Sequence, residues 1–546
     1  IKITWGAIKI TWGVKMNKTK EKYIGILFFV TICLVFIQRF AYNALYYPVM
    51  DDWFLYGDIY KNKVADFIVP NEKFAIRPIA GLIDIFVASP LFKHLWTVEI
   101  MLSVFMVVGV LSVMYVLRKN DYNVGGIFVL LLCLLPLNFE ATYWIAASIR
   151  ISGSIFFVGI SCYMLNGFLE EENKQFLIGY GIVGFITVGF YEPAIVVYAF
   201  LSAYLVLKKK NKKYYCILGI TFLHILAIGI YYLCNGSSAE METRGHLLTS
   251  GIITHTAKIT AKSGEVLTTI NLKMFLIGLK QGFSIVVNKK PIIQLFATVI
   301  YSVSFGAVSK YMVSENGNFS LKKVCIGIIM IVVGLFVFYI LEDTRVTVRS
   351  VYFAVIGIGI LIEEILMLLS YKIRCVTVAV SVTALSLLFT VSGWGIVDEY
   401  QNTSKTDMKI VKQILDLDYN KDVTNVDRNT YLLGAESYYK NVKTVEWFES
   451  VRGACSNYAD ITGCMRHMSG VEFTNNLTPI KDGEIIKLAP YIDTPEICRF
   501  FALENDDEVI NIVLENYGDY IKAVKENGEL YGTFASIDGE QYLFEK

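Results

Sequence analysis

The sequence predicts an α-helical polytopic membrane protein that ends in a small α+β domain. Three observations predict it. Of 546 residues, 55% are hydrophobic and only 18% are charged, against about a quarter charged in an ordinary soluble domain. The mean hydropathy is +0.50. Apolar runs of roughly 18–22 residues recur before Asp398, each long enough to cross a hydrocarbon layer of about 30 Å. This composition excludes a soluble globular protein, a disordered chain and a disulfide scaffold. Ten cysteines are scattered without a C-x-x-C pair, so neither a zinc site nor a thioredoxin-like site is indicated.

The N-terminus needs separate treatment. IKITWG stands at Ile1–Gly6 and again at Ile8–Gly13, and Met16 opens a normal-looking run. Residues 1–15 read as a non-native extension and are set aside. Lys18, Lys20 and Lys22 precede the apolar run Tyr23–Ile37, as in a signal peptide. Gln38-Arg39-Phe40 follows in place of a small-residue cleavage site, so an uncleaved first transmembrane helix is expected.

Hydropathy places about eleven spans near 24–45, 95–117, 124–139, 146–166, 175–191, 193–207, 214–234, 292–309, 324–341, 351–370 and 375–396. With the N-terminus in the cytoplasm, Arg118-Lys119, the run Lys208–Lys213, the loop Lys310–Lys323 and Lys372/Arg374 all fall inside. The cost of moving cations across a bilayer fixes that orientation. The organisation expected is a multi-pass cell-membrane domain over 16–397, with a first external loop at 46–94, and an extracytoplasmic domain over 398–546. Ile76–Phe92 is apolar but short and is laid along the outer surface as an interfacial helix; Leu272–Val287, interrupted by Lys280 and Gln281, is a second helix of that kind.

Charge is sorted along the chain. From Asp398 onward there are 27 acids and 15 bases, against 22 acids and 35 bases before it. The inner boundary holds mostly lysines, which topology explains. The outer boundary holds Asp51, Asp52, Glu140, Glu192 and Glu342-Asp343 with Arg77, Arg150, Arg345 and Arg349. Topology does not explain these, and ionisable groups at membrane depth are costly and usually face a cavity. Asp51-Asp52 is the sharpest feature. Adjacent carboxylates share a divalent metal, or one acts as a base while its neighbour raises its pKa. Tyr46, Tyr47, Trp53 and Tyr56 around them suit a membrane interface or a platform under a sugar ring. Tyr191-Glu192-Pro193 joins two spans with almost no loop, so Glu192 must face water or a cavity. Glu140 and Arg150 are expected to meet at a cavity mouth. His246 and His255 lack a third ligand for a metal.

A first transmembrane helix, an external loop opening on Asp51-Asp52, a later Arg77-Pro78 and about ten further spans together resemble the GT-C glycosyltransferases, with the bacterial O-antigen glucosyltransferase-like branch nearest. The resemblance covers roughly residues 17–397. The His-Pro-Pro of mannosyltransferase relatives and the Trp-Trp-Asp of oligosaccharyltransferases are absent. The resemblance implies a polyprenyl-phosphate-linked sugar donor, a glycan or lipid-linked acceptor, and inverting transfer at the outer face. In that reaction Asp51 or Asp52 serves as base. Arg345 and Arg349, then Arg77, hold the donor phosphate by bidentate hydrogen bonding. Glu192, Glu140, Arg150 and Trp53 line the cavity. A divalent metal (Mg or Mn) on the Asp pair stays open. A lipid-linked-sugar transporter and a polysaccharide polymerase or ligase compete; no internal repeat supports the former.

In the tail, Thr406–Leu417 has amphipathic helical spacing. Val471–Thr474, Glu484–Leu488, Val509–Leu514, Gly532–Ser536 and Tyr542–Phe544 read as strands between turn residues. Cys455 and Cys464 form a disulfide or remain thiols. The tail's acidity does not suit nucleic acid.

Overall fold

The computed structural model describes residues 18–38, 46–58, 77–234, 248–315, 317–342, 346–418, 429–434, 453–456, 458–470, 477–480, 485–486, 498–504, 508–517, 520–537 and 540–545. The backbone divides into two compact units. Unit 1 is Ile1–Ala44, Ile68–Ile83 and Trp96–Val397; unit 2 is Leu45–Phe67, Asp84–Leu95 and Asp398–Lys546. The first external loop is thus shared between the two groupings.

Unit 1 is helical. Its long elements are α1 (Lys18–Gln38), α2 (Leu95–Lys119), α3 (Gly126–Leu134), α4 (Ile145–Glu171), α5 (Lys174–Val188), α6 (Glu192–Lys208) and α7 (Cys216–Cys234). They continue as α8 (Ile252–Glu265), α9 (Asn271–Lys289), α10 (Ile292–Ser309), α11 (Leu321–Ile340), α12 (Ala354–Leu366) and α13 (Tyr371–Asp418). A helix stands at each position where a span is expected. Among the described residues, seven helices are long and apolar enough to cross a membrane, or eight if the bent pair Gly126–Leu134 and Pro136–Tyr143 is one span. Six of the seven coincide with expected spans. The seventh, Ile252–Lys289, contains the expected interfacial segment 272–287.

Several expected spans are short for local reasons. Pro136 cannot continue α3, and Asn138 Nδ2 donates to the Leu132 carbonyl that Pro136 leaves without an amide partner and to the Leu131 carbonyl (3.2 and 3.0 Å). α5 stops at Val188, where Gly189 donates back to Ile186 O. Close helix crossings rest on glycine: a Cβ on Gly159 would lie 2.5 Å from the Gly109 carbonyl oxygen, so α2 and α4 meet backbone to backbone.

One end of unit 1 is tied by charged side chains to backbone groups. Glu363 Oε1, buried on α12, accepts from Gly125 N, Ile127 N and Phe128 N (2.9, 3.1 and 3.1 Å), which caps the N-terminus of α3. Arg118 Nη1 donates to Val124 O and Met312 O (2.7 and 2.8 Å). Glu364 Oε1 accepts from Ser320 N (2.6 Å), and Arg374 Nη2 donates to Ser314 O (2.5 Å). Lys208 pairs with Asp121 at 2.8 Å. The lysine-rich loops converge here.

Unit 2 is α+β. Its eight strands are β1 (Asn429–Leu433), β2 (Leu477–Ile480), β3 (Ile485–Ile486), β4 (Cys498–Glu504), β5 (Glu508–Asn516), β6 (Tyr520–Lys525), β7 (Leu530–Ile537) and β8 (Glu540–Glu545). They form one sheet in the order β2-β1-β4-β5-β6-β7-β8-β3. β1 runs parallel to β2 and β4; β4 through β8 form an antiparallel meander. Alternate residues Ile510, Ile512 and Leu514 join a core of Tyr431, Leu433, Phe500, Ala502 and Ile521. Tyr431 stacks on Phe500 at 5.0 Å. The expected strand 471–474 lies outside the described residues. α14 (Tyr458–Ser469) completes the unit. Cys455 and Cys464 are buried free thiols.

Candidate functional site

The end of unit 1 remote from the lysines gathers most of the outer charges singled out in the sequence. Ile79 N donates to Gly189 O (3.0 Å), which sets the start of the turn Pro78–Ile83 beside the α5–α6 reversal. Arg77 precedes that turn, and Glu192 lies in the first turn of α6, where the helix dipole favours an acid. Their side chains meet in a fork: Arg77 Nε donates to Glu192 Oε1 and Nη2 to Oε2, each at 3.0 Å. The Arg77 guanidinium lies over the Tyr191 ring, 4.9 Å from its centre. Burial opposes the charge on Arg77, but Glu192 more than offsets it and holds the guanidinium above its ordinary pKa. Arg150 is close enough to act against that charge.

A second pair lies in the same unit. Glu140, fully buried in the helical turn Phe139–Tyr143, is 3.5 Å from Arg349 Nη1. Arg349 opens the 3₁₀ turn Arg349–Val351 and lies over the Trp144 ring at 4.8 Å. Glu140 pairs with Arg349, and Arg150, expected near Glu140, donates from Nη1 to Ala146 O (2.7 Å) inside α4. Arg345 lies outside the described residues. Two features were missed in the sequence, the aromatic faces Tyr191 and Trp144 under the two arginines. The Trp144 indole N–H is buried and has no hydrogen-bond acceptor among the described residues. Three guanidiniums stand among these described residues, and the buried, unmet Trp144 donor lies beside one of them. That arrangement suits an anion.

Asp51, Asp52 and Trp53 belong to unit 2. Asp52 is fully buried, and its Oδ2 accepts from Tyr46 OH (2.6 Å) and Val49 N (3.3 Å). It fixes the turn that starts the helical segment 51–58. Asp51 is half-buried, and its carboxylate bonds to no described residue. Neighbouring positions on a helix diverge by about 100°, so one carboxylate is consumed by structure while the other stays open. Trp53 is 2% exposed and packs on Phe92 and His467, with ring centres 5.7 and 5.9 Å apart. It holds the segment and offers no open platform.

The same segment is fastened throughout by unit 2. Ser404 Oγ donates to Pro48 O (2.6 Å), Lys405 lies over the Tyr47 ring (5.4 Å), and Tyr56 OH donates to Asp84 Oδ1 (2.9 Å). Gly463 of α14 touches the backbone of Trp53: a Cβ there would be 2.7 Å from the Trp53 carbonyl carbon and oxygen.

Among the described residues, no group of three or more His, Cys, Asp or Glu side chains is arranged to hold a metal ion. With Asp52 engaged by Tyr46 and Val49, the Asp pair does not fit a bridging divalent ion, and no step is routed through one. No protein-family model matches the chain, and no curated protein matches it.

Proposed function

We propose that the protein is a membrane glycosyltransferase of GT-C type that takes a sugar from a polyprenyl-phosphate-linked donor at the outer face of the cell membrane. In this reading the chain crosses the membrane eleven times, with the N-terminus cytoplasmic and the C-terminal domain extracytoplasmic. The observation that carries it is the charge cluster of Arg77, Arg150, Arg349, Glu140 and Glu192 at one end of the helical unit. Its guanidiniums and the unmet indole donor of Trp144 suit a phosphate presented at the headgroup plane.

The chemistry is a single displacement. In the reaction that the GT-C resemblance implies, an Asp of the first external loop, Asp51 or Asp52, takes the proton from the acceptor hydroxyl, whose oxygen bonds to the anomeric carbon. The bond from that carbon to the phosphate oxygen breaks, and its electron pair leaves on the polyprenyl phosphate. The guanidiniums stabilise that departing charge. A phosphate departs without being protonated, so one base suffices, unlike hydrolysis of an ordinary glycoside. Glu192 and Glu140 orient the arginines and keep them from collapsing onto each other.

The test compares Asp51→Asn with Asp52→Asn for transfer of labelled sugar in membranes supplied with a lipid-linked donor. Asp51→Asn is expected to lower transfer by about 10²- to 10⁴-fold, the usual contribution of a general base, while leaving proteolytic resistance unchanged. Asp52→Asn is expected to weaken the fold of unit 2. Full transfer by both variants removes the assigned base. Retention of donor affinity by Arg77→Gln and Arg349→Gln together removes the phosphate site.

A further inference from the structure

The helix Ile252–Lys289, made of α8, a π-helical stretch Val266–Ile270 and α9, is 38 residues long. That is about 57 Å at 1.5 Å per residue, nearly twice a hydrocarbon core. Its length and composition suit a span, but its ends do not. α11 begins at the lysine-rich end, where Lys323 lies 3.9 Å from Glu364, and so ends at the opposite one. There Leu248 N donates to Ile340 O (2.9 Å), and His255 Nε2 lies 3.0 Å from Phe338 O. α10 reaches the lysine-rich end at Met312, whose carbonyl Arg118 holds. Its start, Ile292, therefore lies at the opposite end, where Gln38 Nε2 donates to Gln294 O (3.0 Å). Both ends of the long helix thus lie at one end of unit 1.

Between those ends the helix is seated along its length. Ile259, Ser263, Val266, Ile270, Met274, Gly278, Gly282 and Ile285 are buried at spacings of three and four, a continuous seam. A Cβ at Gly282 would collide with the carbonyl oxygen of Val391 on α13, so the two backbones touch. Away from the seam, Leu272, Leu276, Phe283 and Val287 are each at least half exposed. Lys258, Lys262, Lys273, Lys280 and Lys289 are exposed, and Lys262 pairs with Glu265 at 2.9 Å. The lysines of the loops at 208–213 and 310–323 lie at the other end, so the rule that explains those does not explain these.

We propose that this helix lies in the plane of the membrane surface and that its lysines bind the phosphates of anionic phospholipid headgroups. An apolar face, a lysine-bearing face and two ends at one level are what an interfacial helix needs. Anionic headgroups are the partner that the excess of four positive charges on residues 252–289 complements. This holds whichever reaction the protein performs.

Two measurements on the full chain test it. Ala257→Cys and Asn288→Cys are treated with a membrane-impermeant maleimide in sealed vesicles, and each tagged peptide is read by mass spectrometry. Labelling of both from one side is expected; labelling from opposite sides overturns the in-plane placement. In the second, the protein is reconstituted into equal phosphatidylcholine and phosphatidylglycerol and extracted, and its retained lipids are quantified. The wild type is expected to retain phosphatidylglycerol preferentially. Lys258→Gln/Lys262→Gln/Lys273→Gln/Lys280→Gln is expected to lose that preference, by about fivefold for each lysine that carries a headgroup. Equal enrichment in both proteins overturns the proposal. So does lysine-dependent retention of added polyprenyl phosphate without phosphatidylglycerol, which assigns the surface to donor capture.

Discussion

Replacing Gly463 by alanine separates a structural role of α14 from a passive one. The added Cβ would meet the Trp53 carbonyl carbon and oxygen at 2.7 Å and the Phe54 Cα at 2.9 Å. These contacts lie well inside the ~3.5 Å at which carbon atoms pack comfortably. All three atoms belong to backbone, so no side-chain tip can swing aside. Either α14 or the segment carrying Asp51 must shift by several tenths of an ångström. Overpacking of this kind costs about 1–3 kcal/mol. That raises the transiently opened population of unit 2 by roughly 5- to 150-fold, and cleavage tracks this population when opening is fast. The assay is limited proteolysis of the full chain in detergent. Gly219→Ala, at a helical site with nothing within 4 Å of the added carbon, serves as the control. Cleavage of Gly463→Ala at the wild-type rate would refute the claim that α14 holds the Asp51 segment in place. Loss of sugar transfer without faster cleavage would show that the shift is local to Asp51.

Three further outcomes are expected. Arg349→Ala strands the fully buried Glu140 and should cost about 3–5 kcal/mol, whereas Glu140→Gln leaves a partly exposed arginine and should cost less; equal melting shifts would contradict this. Glu363→Ala removes the acceptor of three backbone N–H groups at the start of α3 and should cost about 3 kcal/mol or more in thermal stability; an unchanged melting point would show the cap to be idle. Burial first, then Asp407 and Cys455, push the Cys464 thiol well above its usual 9. The unfolded thiol ionises near 9 while the folded one stays protonated, so stability is intact below pH 9. Above it stability falls by about 1.4 kcal/mol per unit of pH until the folded thiol also ionises. Proteolysis of unit 2 at pH 8 and pH 10 checks it: Cys464→Ala should flatten the difference, and an unaltered difference would assign it elsewhere.

The helices of unit 1 were legible because an apolar run of membrane length leaves few alternatives, and breaks such as Pro136 show as interruptions. The partners of the charges were not. Glu363 looks like any acid in an apolar run, since the N–H groups it caps are more than two hundred residues away. The fork of Arg77 on Glu192 needed the Ile79–Gly189 contact, which no spacing rule supplies. Both acids and arginines were singled out, but the pairing of Glu140 with Arg349 was not foreseen, because proximity along the chain draws attention to Arg150 while the fold brings Arg349. In unit 2, β5, β7 and β8 announced themselves by alternation. β1 and β2 did not; each is short and lies in parallel pairing, where neither face need be polar. Gly463 was silent, because a glycine's use in close approach depends on a partner backbone 410 positions earlier.

The two ends of unit 1 use charge in opposite ways, and this distinguishes scaffold from site. At the lysine-rich end, Arg118, Arg374, Glu363 and Glu364 bond to backbone carbonyls and amides. Charged groups bonded in this way fix the loops. At the other end Arg77 and Arg349 bond to carboxylates and lie on aromatic faces. There the carboxylate keeps the arginine charged and oriented, the ring supports it without desolvating its edge, and Nη1 of Arg77 is left without a hydrogen bond among the described residues. Backbone bonds made on folding are lost only on unfolding, whereas a side-chain pair can exchange one anion for another at modest cost. An incoming phosphate therefore competes with Glu192 and Glu140 and has no such opening at Glu363. Substitutions at the lysine-rich end should change stability with little change in donor affinity. Arg77→Gln, whose partner Glu192 is partly exposed, should do the reverse for donor, while Arg349→Gln should weaken both donor binding and stability; the opposite pattern would place the anion site at the wrong end.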